Sequence, residues 1–475
     1  MEPTSEQWYQ RRIAELEAQV RQGEERIAVL ERQVAQLMAQ VAKLSKNSSN
    51  SSKPPSSDIV KPPKAPARRG RGKRKIGGQQ GHPRHERQPF TPEELNDTRR
   101  YQLDHCPDCG GKLRPGRAEA RVVQQVEVMD RPVEIVEHRS EPCWCSRCRK
   151  HVYAPLPPAV AKGGLAGPNL TALVAYLKAV CHASFSTIRK FFRDVLKIRI
   201  SRGQLDKLIG KVTASLAGMY DDLRARLPGE SRLNVDETGH KDNGKPYWTW
   251  CFRAQLYTLF RIDPSRGSDV LIDTLGREFD GVLGCDYFSA YRKYMKEFSV
   301  RVQFCLAHLI RDVKFLLGLP DQLTRAYGER LRDALRRLFG VIHRRATMTA
   351  KRFRMALERA RDEVIAAGLW SPRRRETQNL ARRFRRHGEA YFRFITTPDV
   401  EPTNNLAEQA MRFVVIDRRI TQGTRSARGR QWCERIWTAV ATCTQQGRSV
   451  FDYLRQTITA YFHGQPTPSI LPSGP

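Results

Sequence analysis

The chain has 475 residues, with 83 Lys+Arg against 50 Asp+Glu and a formal net charge of +33. That length allows about three domains. The charge predicts a polyanionic partner, most simply nucleic acid, ahead of a membrane surface. No run of about 18 apolar residues predicts a transmembrane helix, and the polar N-terminus predicts no secretory signal. Eleven cysteines, an odd number scattered mostly singly, exclude a secreted disulfide scaffold. They predict a reducing cytoplasm, with a metal site where they cluster.

Residues 1–46 read as a zipper. Ile13, Val20, Ile27, Val34 and Val41 recur every seven residues, and Leu16, Leu30, Leu37 and Leu44 fill the second register, broken only by Gly23. β-Branched residues at one seam position and leucine at the other favour a parallel two-stranded coiled coil, hence a homodimer. The alternative is one amphipathic helix packed on its own chain.

Residues 47–99 read as a disordered basic linker. Ser45–Ser57 is rich in Ser, Asn and Pro. Lys61, Lys64, Arg68, Arg69, Arg71, Lys73, Arg74 and Lys75 follow with no acid among them. Such an arm can track DNA phosphates, adding salt dependence without sequence specificity.

Residues 100–155 hold two C-x-x-C knuckles, Cys106/Cys109 and Cys145/Cys148. Four thiolates can close a tetrahedral, structural Zn²⁺ site in a zinc-ribbon-like module. The segment between the knuckles predicts two strands, near Arg121–Val128 and Val133–Glu137. Cys143 is a spare thiol.

Residues 156–230 read as helical. Ser184–Leu196 and Ser201–Val212 predict two helices that form either a helix-turn-helix, with Arg202, Lys207 and Lys211 toward DNA, or a plain packing pair.

Residues 231–320 change period. Arg232–Glu237, Tyr247–Phe252 and Leu256–Ile262 predict strands, with Gly239–Pro246 and Arg253–Gln255 as connections. A helix at Asp269–Leu275 and a strand at Gly281–Asp286 follow. Three antiparallel strands, a helix and a parallel strand are the opening order of a ribonuclease-H-like fold, in a multidomain α+β chain. Asp236 lies in the first strand and Asp286 ends the fourth, each behind an apolar run. That topology makes them neighbours at the sheet's centre. Gly239–Lys245 copies the start of a P-loop, but Pro246 and the strand pattern after it predict a hairpin and no ATP site.

Residues 321–398 predict a basic helical insertion. Asp321–Phe394 holds 20 Lys+Arg against 8 Asp+Glu, and its runs include Arg382, Arg383, Arg385 and Arg386. They are expected to contact DNA rather than only solvate a helix. Residues 399–463 return to the core, and 464–475 form a tail. Pro402 breaks the chain, Thr403 or Asn404 can cap, and the helix beyond carries Glu408 and Arg412 on one face. Asp236, Asp286 and Glu408 form the hard-oxygen set that two Mg²⁺ ions need for phosphoryl transfer, with Arg412 on a phosphate. His308, on a helix predicted from Phe304, is either a helper near the phosphate or a hydrogen-bonded core residue. Trp248 and Trp250 are expected in the core.

A set of motifs carries a family resemblance. They are Ser45-Lys-Asn-Ser-Ser-Asn, Pro54-Pro-Ser-Ser-Asp, Gly77-Gly-Gln-Gln-Gly-His, the knuckles, Val235-Asp-Glu-Thr, Asp286 with Tyr287 and Tyr291, Cys305-Leu-Ala-His, and Asn404-Asn-Leu-Ala-Glu. In this order they resemble the IS66 family of bacterial insertion-sequence transposases, in its large DDE subunit. At Thr421-Gln-Gly-Thr-Arg-Ser the chain departs from the family's Gly-Arg-Lys-Asn-Trp. The resemblance implies a DDE triad of Asp236, Asp286 and Glu408, a zinc-binding domain and the zipper. It implies metal-dependent cleavage at element ends and transfer of 3′-OH ends into target DNA, near the nucleoid, with room for small accessory transposition proteins. The competing readings are an inactive DNA-binding protein or repressor derived from a transposase, and another ribonuclease-H-like nuclease.

Overall fold

The computed structural model describes residues 5–44, 88–105, 107–112, 114, 122–130 and 132–472. The basic arm from Lys61 to Lys75, and Cys106, lie outside the described residues. The chain is mixed α and β and divides into two compact units, one from 1–62, 137–191 and 199–475, the other from 63–136 and 192–198. Among the described residues no helix is long and apolar enough to cross a membrane.

In the smaller unit an isolated antiparallel bridge between His105 and Lys112 closes the loop of the first knuckle. The strands expected between the knuckles are not formed: 122–128 and 133–137 contain no ladder. Their valines are exposed, Val122 at 77% and Val123 at 89%. β-Branched alternation favours extended chain, but a strand exists only where a partner takes its hydrogen bonds.

In the larger unit α1 (Ser5–Leu44) runs forty residues without interruption at Gly23. Its heptad side chains are exposed, Ile13 at 55% and Leu37 at 60%. β1 (Pro142–Cys145) and β2 (Lys150–Tyr153) pair antiparallel, and the turn between them carries the second knuckle. Five helices follow: α2 (Pro158–Gly163), α3 (Pro168–Ala179), α4 (Phe185–Asp194), α5 (Arg202–Ser215) and α6 (Ala217–Arg226). Ser201 caps α5 by accepting from the Gln204 N–H at 3.1 Å.

The central sheet is built from β3 (Arg232–Asp242), β4 (Lys245–Arg253), β5 (Thr258–Asp263), β6 (Val282–Cys285) and β7 (Arg301–Phe304) in the order β5-β4-β3-β6-β7. β3, β4 and β5 pair antiparallel, while β6 joins β3 and β7 joins β6 in parallel. α7 (Ser268–Leu275) leads into β6, and α8 (Ser289–Phe298) connects β6 to β7. Every residue of β6 is buried, the signature of a strand covered on both faces.

Two local expectations are corrected. The connection expected over Gly239–Pro246 is a two-residue turn, with Asn243 at φ 49° and Gly244 at φ 78°. Both lie in the left-handed region that a tight hairpin turn requires, and Asn-Gly is its common sequence. Gly244→Ala is expected to destabilise the chain by about 1 kcal/mol, read from the urea midpoint. β7 was not expected at all, and the helix predicted from Phe304, α9, spans Leu306–Leu317. β7 holds only four residues. Its buried Gln303 donates to the Tyr391 carbonyl and accepts from the Phe394 N–H.

The insertion is α10 (Gln322–His343), α11 (Ala350–Leu369), α12 (Arg375–His387) and the short α13 (Arg393–Thr396). α10 and α11 form an antiparallel hairpin, tied by Tyr327 to the Gly368 carbonyl and by Arg337 to Glu363. The chain returns through α14 (Asn405–Thr421), α15 (Ala427–Gln445) and α16 (Val450–Phe462).

Edge strand β5 is finished by α15. The N–H groups of Thr258, Phe260 and Ile262 donate to the side chains of Thr442, Thr438 and Glu434. Four helical residues rise about 6 Å and two strand residues about 6.8 Å, so the two ladders stay in step. The exposed-edge hazard is removed without another strand. At the hairpin tip Thr424, in the segment that departs from the family pattern, bridges in parallel to Asp242.

Candidate functional site

Strand alternation puts Leu233, Val235 and Glu237 on one face of β3, and Asn234, Asp236 and Thr238 on the other. The second face meets α14. Asn404, 1% exposed, stands immediately before that helix. It was one of two candidate caps, with Thr403, and its side chain makes no capping bond. Its Oδ1 instead accepts from Asn234 Nδ2 at 2.9 Å, and its Nδ2 donates to the Val235 carbonyl at 2.8 Å. Its backbone N–H donates to Cys305 Sγ at 3.2 Å. The start of α14 is thereby bolted to β3 one residue from Asp236. Gly284 permits this, because a Cβ there would lie 2.6 Å from Asn234 Nδ2.

Asp286 follows β6 directly, and its Oδ1 accepts from the Phe288 N–H at 2.9 Å. Glu408 lies in the first turn of α14. Arg311 of α9 donates to both of its carboxylate oxygens, at 3.3 and 3.2 Å. β3 and β6 are parallel neighbours, and the charges of Asp286 and Glu408 both act on Asp236, so the three acids share one neighbourhood. Burial pushes the Asp236 carboxyl well above its usual range, and the charges of Glu237, Asp286 and Glu408 push it further. Burial also raises Asp286, opposed by His308, the Phe288 N–H and Arg266.

Two participants were not singled out from sequence. Glu237 is buried and pushed up to about 7 by burial. Arg266 donates to it at 2.7 Å, and the Tyr291 hydroxyl donates as well. The Arg266 guanidinium lies over the rings of Trp248 and Phe288, at 4.4 and 3.9 Å. The second participant is Cys305. Its sulfur, a ring nitrogen of His308 and a Glu408 oxygen lie within 4.8 Å of one another.

His308 is buried, with Nε2 3.2 Å from Arg311 and Nδ1 3.6 Å from Glu408 Oε1. That Nδ1 has no hydrogen-bond partner among the described residues. His308 is thus enclosed, beside Glu408. Burial, then the Arg311 charge, hold its pKa below the usual value. Trp250 is fully buried, and Trp248 half-buried.

Of the basic residues expected on DNA, Arg382, Arg385 and Arg386 are exposed on α12. Arg383 is not available: it pairs with Asp312 at 2.8 Å and lies 4.2 Å over the Tyr287 ring. On α5, Lys207 is exposed and Arg202 donates to Ser186 Oγ. Lys211 is turned inward, onto the carbonyls of Lys162 and Gly163. A basic run read along the sequence does not reveal which members point into the fold. Arg412 is exposed on α14, four residues after Glu408.

In the second knuckle the Cys148 N–H donates to Cys145 Sγ at 3.4 Å, and this bond is the main cause holding the Cys145 thiol below its usual pKa. Cys109, Cys143 and Cys148 are exposed.

Residues 163–431 match the family model described as Transposase IS66 family. The chain belongs to the IS66 family. Membership makes it a transposase, with DNA as substrate, and points to divalent-metal dependence. Residues 2–88 also match a family of unknown function. The chain is 24% identical over 400 residues to the uncharacterized protein y4qI of Sinorhizobium fredii, covering 76% of this chain and 72% of that one. It is 23% identical over 379 residues to the uncharacterized protein y4hP of the same organism, covering 71% and 67%. The family match takes in β3, β6, α9 and the start of α14, the elements that carry the acids.

Proposed function

We propose that the chain is a DDE-type transposase that cuts DNA at its element's ends and joins the resulting 3′-OH groups to target DNA. The observation that carries this reading is the convergence of Asp236, Asp286 and Glu408 from three separate elements. The sheet order, three antiparallel strands then two parallel ones, supports a ribonuclease-H-like core over 231–320 and 399–463, interrupted by the helical insertion at 321–398.

The acids suit hard divalent ions. Crowded, buried carboxylates raise one another's pKa, and cations relieve that repulsion. Asp236, Asp286 and Glu408 would hold two Mg²⁺ ions, which supply activation of the attacking oxygen and stabilisation of the leaving one. Sulfur and imidazole suit Mg²⁺ poorly, so Cys305 and His308 are assigned to the wall behind Glu408. Arg311 neutralises Glu408 when no metal does. Arg266 balances Glu237, so that a fourth acid does not add its full charge to the cleft. Arg412, Arg382, Arg385, Arg386, Arg202, Lys207 and the 61–75 arm would track phosphates. The test of activity is strand transfer on labelled end DNA, with Mg²⁺ and with chelator. End binding without metal-dependent cutting would favour the inactive DNA-binding reading.

The same proposal assigns Cys106, Cys109, Cys145 and Cys148 to a structural Zn²⁺ in residues 100–155. The bridged first loop and the N–H···S bond of the second are what metal knuckles need. It also assigns α1 to a parallel homodimeric coiled coil, since an exposed apolar seam on a forty-residue helix calls for a partner. Deletion of residues 1–44 is expected to lower the sedimentation coefficient toward that of a monomer. An unchanged profile would count against the zipper.

A further inference from the structure

A cavity of about 490 Å³ opens between α8 and the helices of the insertion. Its apolar wall comes from Met295 of α8, Ile365 and Leu369 of α11, and Phe384 of α12. Its rim carries Arg385, Arg386 and Arg393 together with one acid, Glu389. These three guanidinium groups are exposed and make no ion pair among the described residues. The neighbouring Arg383 is spent on Asp312, so the rim arginines are the cations left free there. One aromatic contact links the cavity to the segment that carries Asp286. His387 lines the cavity, and the His387 ring lies 5.8 Å from that of Tyr287, the residue after Asp286. Tyr287 is in turn stacked on Tyr391 at 6.4 Å.

An apolar wall with an arginine rim matches a nucleotide. Guanidinium forks take the phosphate, and the wall takes the face of a base. The volume falls within the range of about 300–1,000 Å³ typical of small-molecule sites, and it is far too small for a duplex. We propose that this cavity receives one unpaired nucleotide of the end DNA, its base against Phe384 and Leu369 and its phosphate on Arg385, Arg386 and Arg393. The strand beside it then passes Tyr287 on its way to Asp286. This rests on the end-cutting reading above and adds a specific ligand to it: a base drawn out of the stack next to the cut. Extrusion costs unstacking and unpairing energy, which a base already unpaired does not pay.

The test uses the full chain in chelator and duplexes of the element's terminal sequence, with a single mismatched nucleotide stepped along each strand. At one position the mismatch is expected to tighten binding about ten-fold over the paired duplex. Leu369→Trp fills the cavity from a position already 38% exposed, so the fold tolerates it. This variant should erase the gain and leave affinity for paired DNA unchanged. Arg385→Ala with Arg393→Ala should reduce the gain without touching the wall. Absence of any favoured position, or a gain that survives Leu369→Trp, overturns the proposal. Mg²⁺-dependent nicking of the paired duplex is scored separately. Nicking with no favoured position rejects the cavity alone, whereas a favoured position with no nicking rejects the catalytic reading and keeps the cavity.

Discussion

Asp236→Asn abolishes end cleavage and strand joining, by on the order of a thousand-fold or more, and leaves binding to end DNA nearly unchanged. The size follows from what is lost. Asp236 lies at the centre of the acid cluster, where Glu237, Asp286 and Glu408 all act on it. Losing a carboxylate that holds the metal pair removes several kcal/mol of transition-state stabilisation, and each 1.36 kcal/mol is about ten-fold in rate. The asparagine is nearly isosteric and removes a buried negative charge crowded by like charges, so the fold is not weakened. Nicking assays and gel-shift titrations of wild type and variant, run side by side, check both halves. Cleavage that survives in the variant refutes the role given to Asp236.

Asn404→Ala is the second large effect, and it acts through position rather than chemistry. The buried amide joins the half-buried Asn234 side chain and the buried Val235 carbonyl. Truncation strands the buried Val235 carbonyl, at about 1–3 kcal/mol, and leaves the half-buried Asn234 amide without this partner. It also frees the start of α14, which sets where Glu408 stands. The expected result is a lower thermal midpoint together with at least a ten-fold fall in cleavage at temperatures where the variant is fully folded. End binding stays intact. A variant that is destabilised yet cuts at the wild-type rate when folded would reduce Asn404 to a structural pin.

Much of the architecture is legible along the chain because it depends on local periodicity. The seven-residue repeat of α1 and the helices of the insertion follow from spacing alone. So do β3 to β6, whose apolar runs survive without knowledge of their partners. Asp236 and Asp286 stand out because each ends or interrupts such a run. What is hidden depends on partners distant in sequence. The valines of 122–128 alternate like a strand and pair with none of the described residues. β7 is too short to show a period, and its Gln303 is explained only by Tyr391 and Phe394, about ninety residues on. Asn404 is separated from its strand by about 170 residues, and a reader of sequence sees a helix cap. Glu237 is masked by its neighbour Asp236, although strand alternation already places the two on opposite faces. Arg383 and Lys211 look like their basic neighbours until the fold shows which carboxylate or carbonyl each one meets.

The most direct test of the account is cleavage of labelled end DNA by the full chain, in Mg²⁺ and in chelator. The account predicts nicks bearing 3′-OH ends, and then joined products, in Mg²⁺ only, both lost in Asp236→Asn, Asp286→Asn and Glu408→Gln alike. Cutting that persists in chelator, or that survives removal of any one of the three carboxylates, would contradict it.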